Sequence, residues 1–238
     1  MDMKTSVNLM ESTVGEIARF NTNAIPVFRK YGIDFYCKST DSLTIACIAV
    51  GCEVSAVLTE LEKLLPIVNA NQNFNDWSLD SLIDYIIGNH HQYVNKTVPE
   101  IVELFNDLSG NPSAQNPDLT KANHLFRLLS NDMKQHMQKE ELALFPAIKK
   151  LEVAVNDGTH ALPVRSLITV VEMEHQTSGI ILKQLADLCN RIAAAGIPET
   201  TLLTEKLKEF ESDLIMHIHV ENNVLHQKAF ELELCVLV

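Results

Sequence analysis

The segment HMQKEE, residues 136–141, places an imidazole and a carboxylate on a helix face that should be buried. His136 and Glu140 are four residues apart, and residues at this spacing share one face of an α-helix. The same face carries Leu129, Met133 and Leu144, as an apolar core would. Burying an unpaired carboxylate costs several kcal/mol. The chain must therefore supply a partner for Glu140.

An internal repeat supplies further residues of the same two types. The string DMKQHMQKEELALF in the second long helical pattern aligns with DLIMHIHVENNVLH in the fourth, where His217 and Glu221 form a second His-x-x-x-Glu pair. The first and third patterns carry a His-Gln dipeptide, beginning at His91 and at His175. The sequence thus predicts a doubled helical hairpin, with one histidine on each leading helix and a His/Glu pair on each trailing helix.

This repeat predicts a two-metal site inside a helical bundle. In such a site the carboxylates bridge or flank two ions, and the imidazoles complete each coordination sphere. Iron or manganese suits these nitrogen and oxygen ligands best, and the lack of thiolates in the set argues against a closed structural zinc site. The predicted ligands are His91, His136, Glu140, His175, His217 and Glu221.

Five other histidines have no partner in the repeat. One of them, His90, is adjacent to His91 and competes with it for the same role, but the match between the two His-Gln dipeptides favours His91. We expect all five at the surface or behind the ligands: His90, His124, His160, His219 and His226.

The elements that must position these residues are helices. Apolar residues recur at spacings of three and four along nearly the whole chain, and alternating runs bounded by Asn-Gly or Asp-Gly turns are absent, so the sequence predicts an all-α fold. Long helical patterns joined by turn sequences such as SGNPSAQNP predict an antiparallel four-helix bundle. The expected helical ranges are 78–108, 118–150, 163–194 and 199–231.

Periodicity and composition divide the chain into two domains. Residues 1–68 hold short helical stretches such as NAIPVFRKYG and DSLTIACIAVG, which predict a small helical N-terminal domain. The polar run NANQNFND lacks periodicity, so a linker is expected at 69–77. The four-helix bundle then occupies residues 78–238.

Composition and charge exclude several classes of partner. The chain has 238 residues, 46% of them hydrophobic, which suffices for a sizeable core. A formal net charge of -12 argues against nucleic acid or an anionic membrane as the main partner. No apolar run approaches the length of a membrane span, and the first residues lack a secretory signal pattern, so a cytoplasmic location is expected. Five cysteines without a CxxC pair indicate neither a disulfide framework nor a thiolate zinc site.

The ligand pattern, together with the strings HMQKEELALFP and HIHVENNVL, resembles the di-iron proteins for the repair of iron centres (the RIC family), whose main domain is hemerythrin-like. The string RKYGIDFYCKSTDSLTIAC is similar to the N-terminal domain of that family, and NDWSLDSLIDYII to its entry into the first bundle helix. The resemblance covers nearly the whole chain. It implies a hemerythrin-like four-helix bundle with a small helical domain before it.

The resemblance also implies a function. The RIC family is associated with the repair of iron-sulfur clusters damaged by nitrosative or oxidative stress, and with chemistry on nitric oxide itself. By this resemblance the four histidines would bind two iron ions, and Glu140 and Glu221 would bridge them beside an oxo group. The resemblance also implies that damaged iron-sulfur proteins are partners and that the protein is a homodimer. Glu174 also matches the family and would act behind a ligand or along an access path, with an exposed helix residue as the alternative. The alternative function is a hemerythrin-like carrier or sensor of oxygen or nitric oxide, and whether the protein is an enzyme stays open.

The N-terminal region departs from the family pattern at one place. The family usually has Cys-Cys-Gly-Gly where this chain reads YCKS, residues 36–39. A vicinal pair can exchange thiols or hold iron, whereas the lone Cys37 cannot act as a pair, and it stays a candidate thiol. Cys47 and Cys52 are possible substitutes, although Cys47 lies in an apolar helix and is expected in the core.

Overall fold

In the residues that the structure describes, a four-helix bundle follows four short helices. The structure, a computed structural model, describes residues 9, 11–64, 74–114, 116–160 and 162–236. The predicted all-α fold is confirmed, because these residues form helices and contain no β-strand. None of the described helices has the length and apolar character that crossing a membrane requires.

Three of the four bundle helices consist of two α-helical parts joined by a π-helical turn, and the third is one regular α-helix. The first bundle helix comprises α5 (Leu79–Tyr85), a π turn (Ile86–His91) and α6 (Gln92–Ser109); the second comprises α7 (Pro117–Lys139), a π turn (Glu140–Leu144) and α8 (Phe145–Asp157); the third is α9 (Arg165–Ala194); the fourth comprises α10 (Thr201–His219), a π turn (Val220–Leu225) and α11 (His226–Val236).

Local sequence signals fix several helix ends. The side chain of Ser78 accepts a backbone hydrogen bond at the start of α5, and that of Asn116 does the same at the start of α7, where Pro117 occupies the first turn. Gly158 ends α8 with a φ of 64°, a left-handed conformation that favours glycine. These ends set the lengths of the bundle helices and leave short connections between neighbours.

A polar layer divides the core of the bundle into two apolar clusters. On the first bundle helix, Ile86 belongs to one cluster and Val94 to the other, and His91 lies between them. On the second bundle helix the clusters come in the opposite order along the chain: Met137 belongs to the cluster of Val94, and Leu144 to the cluster of Ile86. The order reverses again on the third and the fourth helix, as expected for antiparallel neighbours. The buried histidines and glutamates therefore meet at one level of the bundle.

The N-terminal helices share a core with the bundle. They are α1 (Val14–Phe20), α2 (Ala24–Tyr31), α3 (Leu43–Val50) and α4 (Val54–Glu62). Phe28 and Phe35 are fully buried in the larger of the two apolar clusters, which also contains residues of α6, α7, α9 and α10. The ring of Phe35 lies edge-on to that of His219, with 5.5 Å between centroids. The N-terminal region is therefore docked directly beside the polar layer.

The expected domain boundary is described only in part. Residues 1–8, 10 and 65–68 of the expected N-terminal domain, and residues 69–73 of the expected linker, lie outside the described residues. The rest of the linker contains a short 3-10 helix, Phe74–Asp76, in which Phe74 packs against Trp77 and Tyr85. The domain limits 1–68 and 78–238 stay a prediction.

Candidate metal centre

The three π-helical turns lie at the level of the polar layer. His91 ends the first turn, Glu140 begins the second, and Glu221 is the second residue of the third. A π turn inserts one extra residue into an α-helix, and such turns are frequent at functional sites. Each turn therefore redirects the side chains next to it relative to a regular helix.

The structure brings all six predicted ligands together, in two groups of four that share both glutamates. The first group is His91, Glu140, His217 and Glu221, and the second is His136, Glu140, His175 and Glu221. Within each group, one donor atom from every residue lies within 4.8 Å of the others. All six residues are buried, at 0–3% relative exposure. The arrangement offers two adjacent positions for a metal ion.

Glu140 contributes one oxygen to each group. Its Oε1 lies 3.1 Å from Nε2 of His136, in the second group. Its Oε2 lies 3.4 Å from Nε2 of His91, in the first group. A carboxylate whose two oxygens face two different positions is placed to bridge two ions.

Glu221 has the same arrangement. Its Oε1 lies 3.0 Å from Nε2 of His217, in the first group. Its Oε2 lies 3.2 Å from Nε2 of His175, in the second group. Glu140, from the first hairpin of the repeat, and Glu221, from the second, therefore each lie between the two positions for a metal ion.

Most of the atoms that face the centre lack hydrogen-bond partners; the exceptions are Nε2 of His136 and Nε2 of His175, which lie 2.8 Å apart. Both carboxylate oxygens of Glu140 and of Glu221, and Nε2 of His91 and His217, are buried and make no hydrogen bond within the described residues. Buried polar groups without partners are costly and rare in native proteins. A metal ion at each position would satisfy these donor atoms, so the residues fit a two-metal centre.

The charges of the metal-free centre are balanced by protons on histidines. Burial by itself lowers the pKa of His91, but the carboxylates of Glu140 and Glu221 outweigh burial and raise it to about 10. The same balance raises the pKa of His136 to about 9. Burial and the neighbouring carboxylate of Glu221 both favour protonated Glu140, but the histidines hold its pKa at about 2. A cation therefore has to displace protons from the imidazoles to bind here.

Two residues that the sequence reasoning missed orient the histidines of the leading helices. The Nδ1–H of His91 donates to Oε1 of Glu141 at 2.7 Å, and the Nδ1–H of His175 donates to Oδ1 of Asn222 at 2.7 Å. Such outer hydrogen bonds fix the tautomer that leaves Nε2 free for a metal. Glu141 and Asn222 follow the two glutamates at equivalent positions of the repeat, so the alignment itself was a signal for them.

Glu174 performs the same task for a histidine of a trailing helix. The Nδ1–H of His136 donates to Oε2 of Glu174 at 2.9 Å. Nζ of Lys139 donates to the other oxygen of Glu174. Burial alone would raise the pKa of Glu174, but these two hydrogen bonds lower it. Glu174 is therefore an anionic support behind His136, partly accessible to solvent.

His217, the fourth histidine of the two groups, lacks this support. The residue equivalent to Glu174 in the repeat is His90, whose ring stacks on that of His217 with 5.4 Å between centroids and 2° between planes. The Nδ1–H of His90 donates to Oδ1 of Asp213 at 2.9 Å, while Nδ1 of His217 makes no hydrogen bond within the described residues. His90 belongs to neither group of four. Its ring packs against that of His217 from outside the two groups.

The other four histidines without a counterpart in the repeat are either exposed or buried. His124 and His160 are exposed, as expected of residues outside the site. His219 and His226 are fully buried. Nδ1 of His219 accepts from Nδ2 of Asn223 at 2.8 Å, and burial lowers the pKa of His219 to about 4. His219 and His226 thus belong to the packing around the site and not to the two groups of donor atoms.

The N-terminal region touches the centre through its loop before α3. The Cys37 thiol donates to the backbone carbonyl of His175 at 3.2 Å, and Nδ2 of Asn222 donates to the carbonyl of Tyr36 at 2.9 Å. A side chain at Gly179 of α9 would meet the Cys37 sulfur at 2.6 Å, so this close approach requires glycine. Cys37 lies outside both groups of four, and burial raises the pKa of its thiol. Its thiol contacts His175 through the backbone carbonyl of that residue.

The fold and the centre define a hemerythrin-type cation-binding protein. The family described as Hemerythrin HHE cation binding domain matches residues 82–229, more than half of the chain, so the chain belongs to this family. A second family, ScdA_N, described as a domain of unknown function (DUF542), matches residues 10–65. The two matches cover the bundle and the N-terminal helices respectively.

Proteins named iron-sulfur cluster repair protein YtfE are similar to this chain over nearly its whole length. The one from Dickeya chrysanthemi (strain Ech1591) is 28% identical over 228 residues, which cover 92% of this chain and 96% of that protein. The one from Escherichia coli O1:K1 / APEC is 29% identical over 226 residues, with the same coverage. The resemblance to the RIC family that the sequence motifs indicate is thereby confirmed.

Proposed function

We propose that this protein holds two iron ions, joined by an oxo group, in the polar layer of its bundle and acts in the repair of iron-sulfur clusters damaged by nitrosative or oxidative stress. One observation carries the proposal: each of two fully buried glutamates, Glu140 and Glu221, places one oxygen in each of two adjacent groups of histidines. Carboxylates arranged in this way serve pairs of ions in helical bundles.

The donor set supports iron over a structural zinc ion. It consists of four imidazoles and two carboxylates, without thiolates, and such ligands suit iron or manganese. Six protein residues do not fill two octahedral coordination spheres, so positions stay open for exchangeable ligands. Two iron ions bound here would supply one-electron redox chemistry and would bind nitric oxide or oxygen at those positions.

The surrounding residues hold the donor atoms in place. Glu141, Asn222 and Glu174 each accept the Nδ1–H of a ligand histidine, which keeps Nε2 of that ring directed at the centre. The two apolar clusters on either side of the polar layer exclude water from it. These residues preserve the geometry of the centre when an ion enters or leaves.

The repair function rests on the names of the similar proteins and on the family resemblance. Damaged iron-sulfur proteins are the proposed partners, and nitric oxide or oxygen the proposed small ligands. A homodimer, which the resemblance implies, and a cytoplasmic location belong to the same proposal.

Iron transfer tests the proposed function. The iron-loaded protein is mixed with the apo form of an iron-sulfur protein and sulfide, in the oxidised and in the reduced state, and cluster assembly is followed by absorbance. We expect the reduced protein to lose iron to the acceptor faster than the oxidised protein, because reduction weakens the bridge between the ions. A protein that keeps all its iron in both states and binds nitric oxide or oxygen reversibly is a carrier or sensor instead.

A further inference from the structure

The end of helix α3 brings two cysteine side chains together. The helix closes at Gly51, whose φ of 71° is left-handed, and the N–H of Cys52 donates to the carbonyl of Cys47 at 3.0 Å. In a helix that ends in this way, the side chain of the residue after the glycine packs against that of the residue four positions before the glycine. Here both are cysteines, and Cys52 packs against the apolar cluster that contains Cys47.

The backbone geometry permits a bond between the two sulfurs. A single main-chain hydrogen bond of 3.0 Å between Cys47 and Cys52 limits their Cα atoms to a separation under roughly 7 Å, which is the range that disulfides span. Both cysteines are free thiols in the structure. Oxidation therefore requires the side chains to rotate and leaves the helix end in place.

The two thiols differ in accessibility. Cys52 is half-buried, whereas Cys47 is fully buried, as its apolar helix predicts. Burial, followed by the interaction with Cys52, raises the pKa of the Cys47 thiol to about 12. An oxidant in solution therefore meets Cys52 first, and Cys47 reacts only through its neighbour.

We propose that Cys47 and Cys52 form a redox-active dithiol that small-molecule disulfides, such as oxidised glutathione, convert to a disulfide within the chain. The Cys52 thiolate attacks one sulfur of the small disulfide, forms a mixed disulfide and releases one small thiolate. The Cys47 thiolate then attacks the Cys52 sulfur and releases the second. Two electrons pass from the protein to the small disulfide, and the two protein thiol protons end on the two released thiols. The second step is the slower one, because little of the buried Cys47 thiol is ionised near neutral pH.

The proposal is tested by treating the full-length protein with excess oxidised glutathione under native conditions, followed by intact mass measurement and peptide mapping. We expect the chain to lose two hydrogens at Cys47 and Cys52 and to retain no glutathione there. The exposed Cys235, whose thiol donates to the carbonyl of Glu231, is the internal control and should retain glutathione. In Cys47→Ser, glutathione should stay on Cys52; in Cys52→Ser, Cys47 should stay unmodified.

Two results would overturn the proposal. One is glutathione retained on Cys52 of the unsubstituted protein, since it shows that Cys47 cannot displace it. The other is Cys47 and Cys52 both still free after Cys235 has been fully modified. Both results come from the unsubstituted protein, so the proposal stays testable even if a serine variant fails to fold.

Discussion

Replacing Asn222 by alanine should weaken iron binding and destabilise the metal-free protein together. The side chain of Asn222 is buried at 5% exposure, accepts from Nδ1 of His175 at 2.7 Å and donates to the carbonyl of Tyr36 at 2.9 Å. The substitution removes both hydrogen bonds. It leaves one ligand histidine without its orienting partner and one buried carbonyl of the N-terminal region without a donor.

The expected losses of metal affinity and of folding stability can be given separately. Loss of an outer hydrogen-bond partner of a metal-binding histidine costs about 10- to 100-fold in metal affinity. The two unpaired groups should lower the free energy of unfolding of the metal-free protein by about 1–3 kcal/mol. Competition with a ferrous chelator measures the first quantity, and denaturant unfolding of the metal-free protein measures the second.

Asn223→Ala is the matched control. Asn223 is the next residue, is buried at 3% exposure, and donates to the carbonyl of Phe35 at 2.9 Å, but its other partner is His219, which lies outside the metal groups. This variant should lose stability to a similar extent and keep the affinity for iron. Equal losses of iron affinity in both variants, or an unchanged iron affinity in Asn222→Ala, would show that Asn222 does not orient His175 for metal binding.

Three further predictions concern the centre and its surroundings. His136→Ala should lower iron content and reduce the stability of the metal-free protein by about 3–5 kcal/mol, because the buried Glu140 loses the nearer of its two histidine partners. The exposed His124→Ala should change neither quantity in metal analysis and unfolding experiments. In the metal-free protein, the raised pKa of His91 contributes stability that is fully present below its ordinary value of 6.5 and lost as the pH rises through about 10. The free energy of unfolding should therefore fall over that window and fall less in Glu140→Gln, and a flat profile would contradict the assignment. Cys37→Ser should leave the optical spectrum of the iron-loaded protein unchanged, because a hydroxyl can still donate to the carbonyl that the thiol contacts, and a changed spectrum would mean that Cys37 reaches the iron.

The sequence predicted the fold class and grouped the six residues because both depend on spacing. Positions four apart share a helix face whatever the partner helix is, so the two His-x-x-x-Glu pairs were visible without coordinates. The choice of His91 over its neighbour His90 needed the repeat as well, and the structure places His91, not His90, in a group of four.

The π-helical turns and the contacts of the N-terminal region could not be read from spacing. A π turn shifts the helical period by one residue within a single turn, and this shift is too short to change an apolar pattern. Pro146, which has no N–H to donate to the preceding turn, is a signal for one of these turns, but the fourth bundle helix has Gln227 at the equivalent position. The hydrogen bonds of Asn222 and Asn223 to the loop before α3 join residues far apart in the chain, and no local pattern encodes such pairs.

We propose that the polar layer holds a pair of iron ions bridged by two glutamates. The most direct measurement is metal analysis of the purified protein combined with Mössbauer spectroscopy. We expect about two irons per chain, coupled to each other, because the two groups of donor atoms share both carboxylates. One uncoupled iron per chain, or zinc in place of iron, would contradict it.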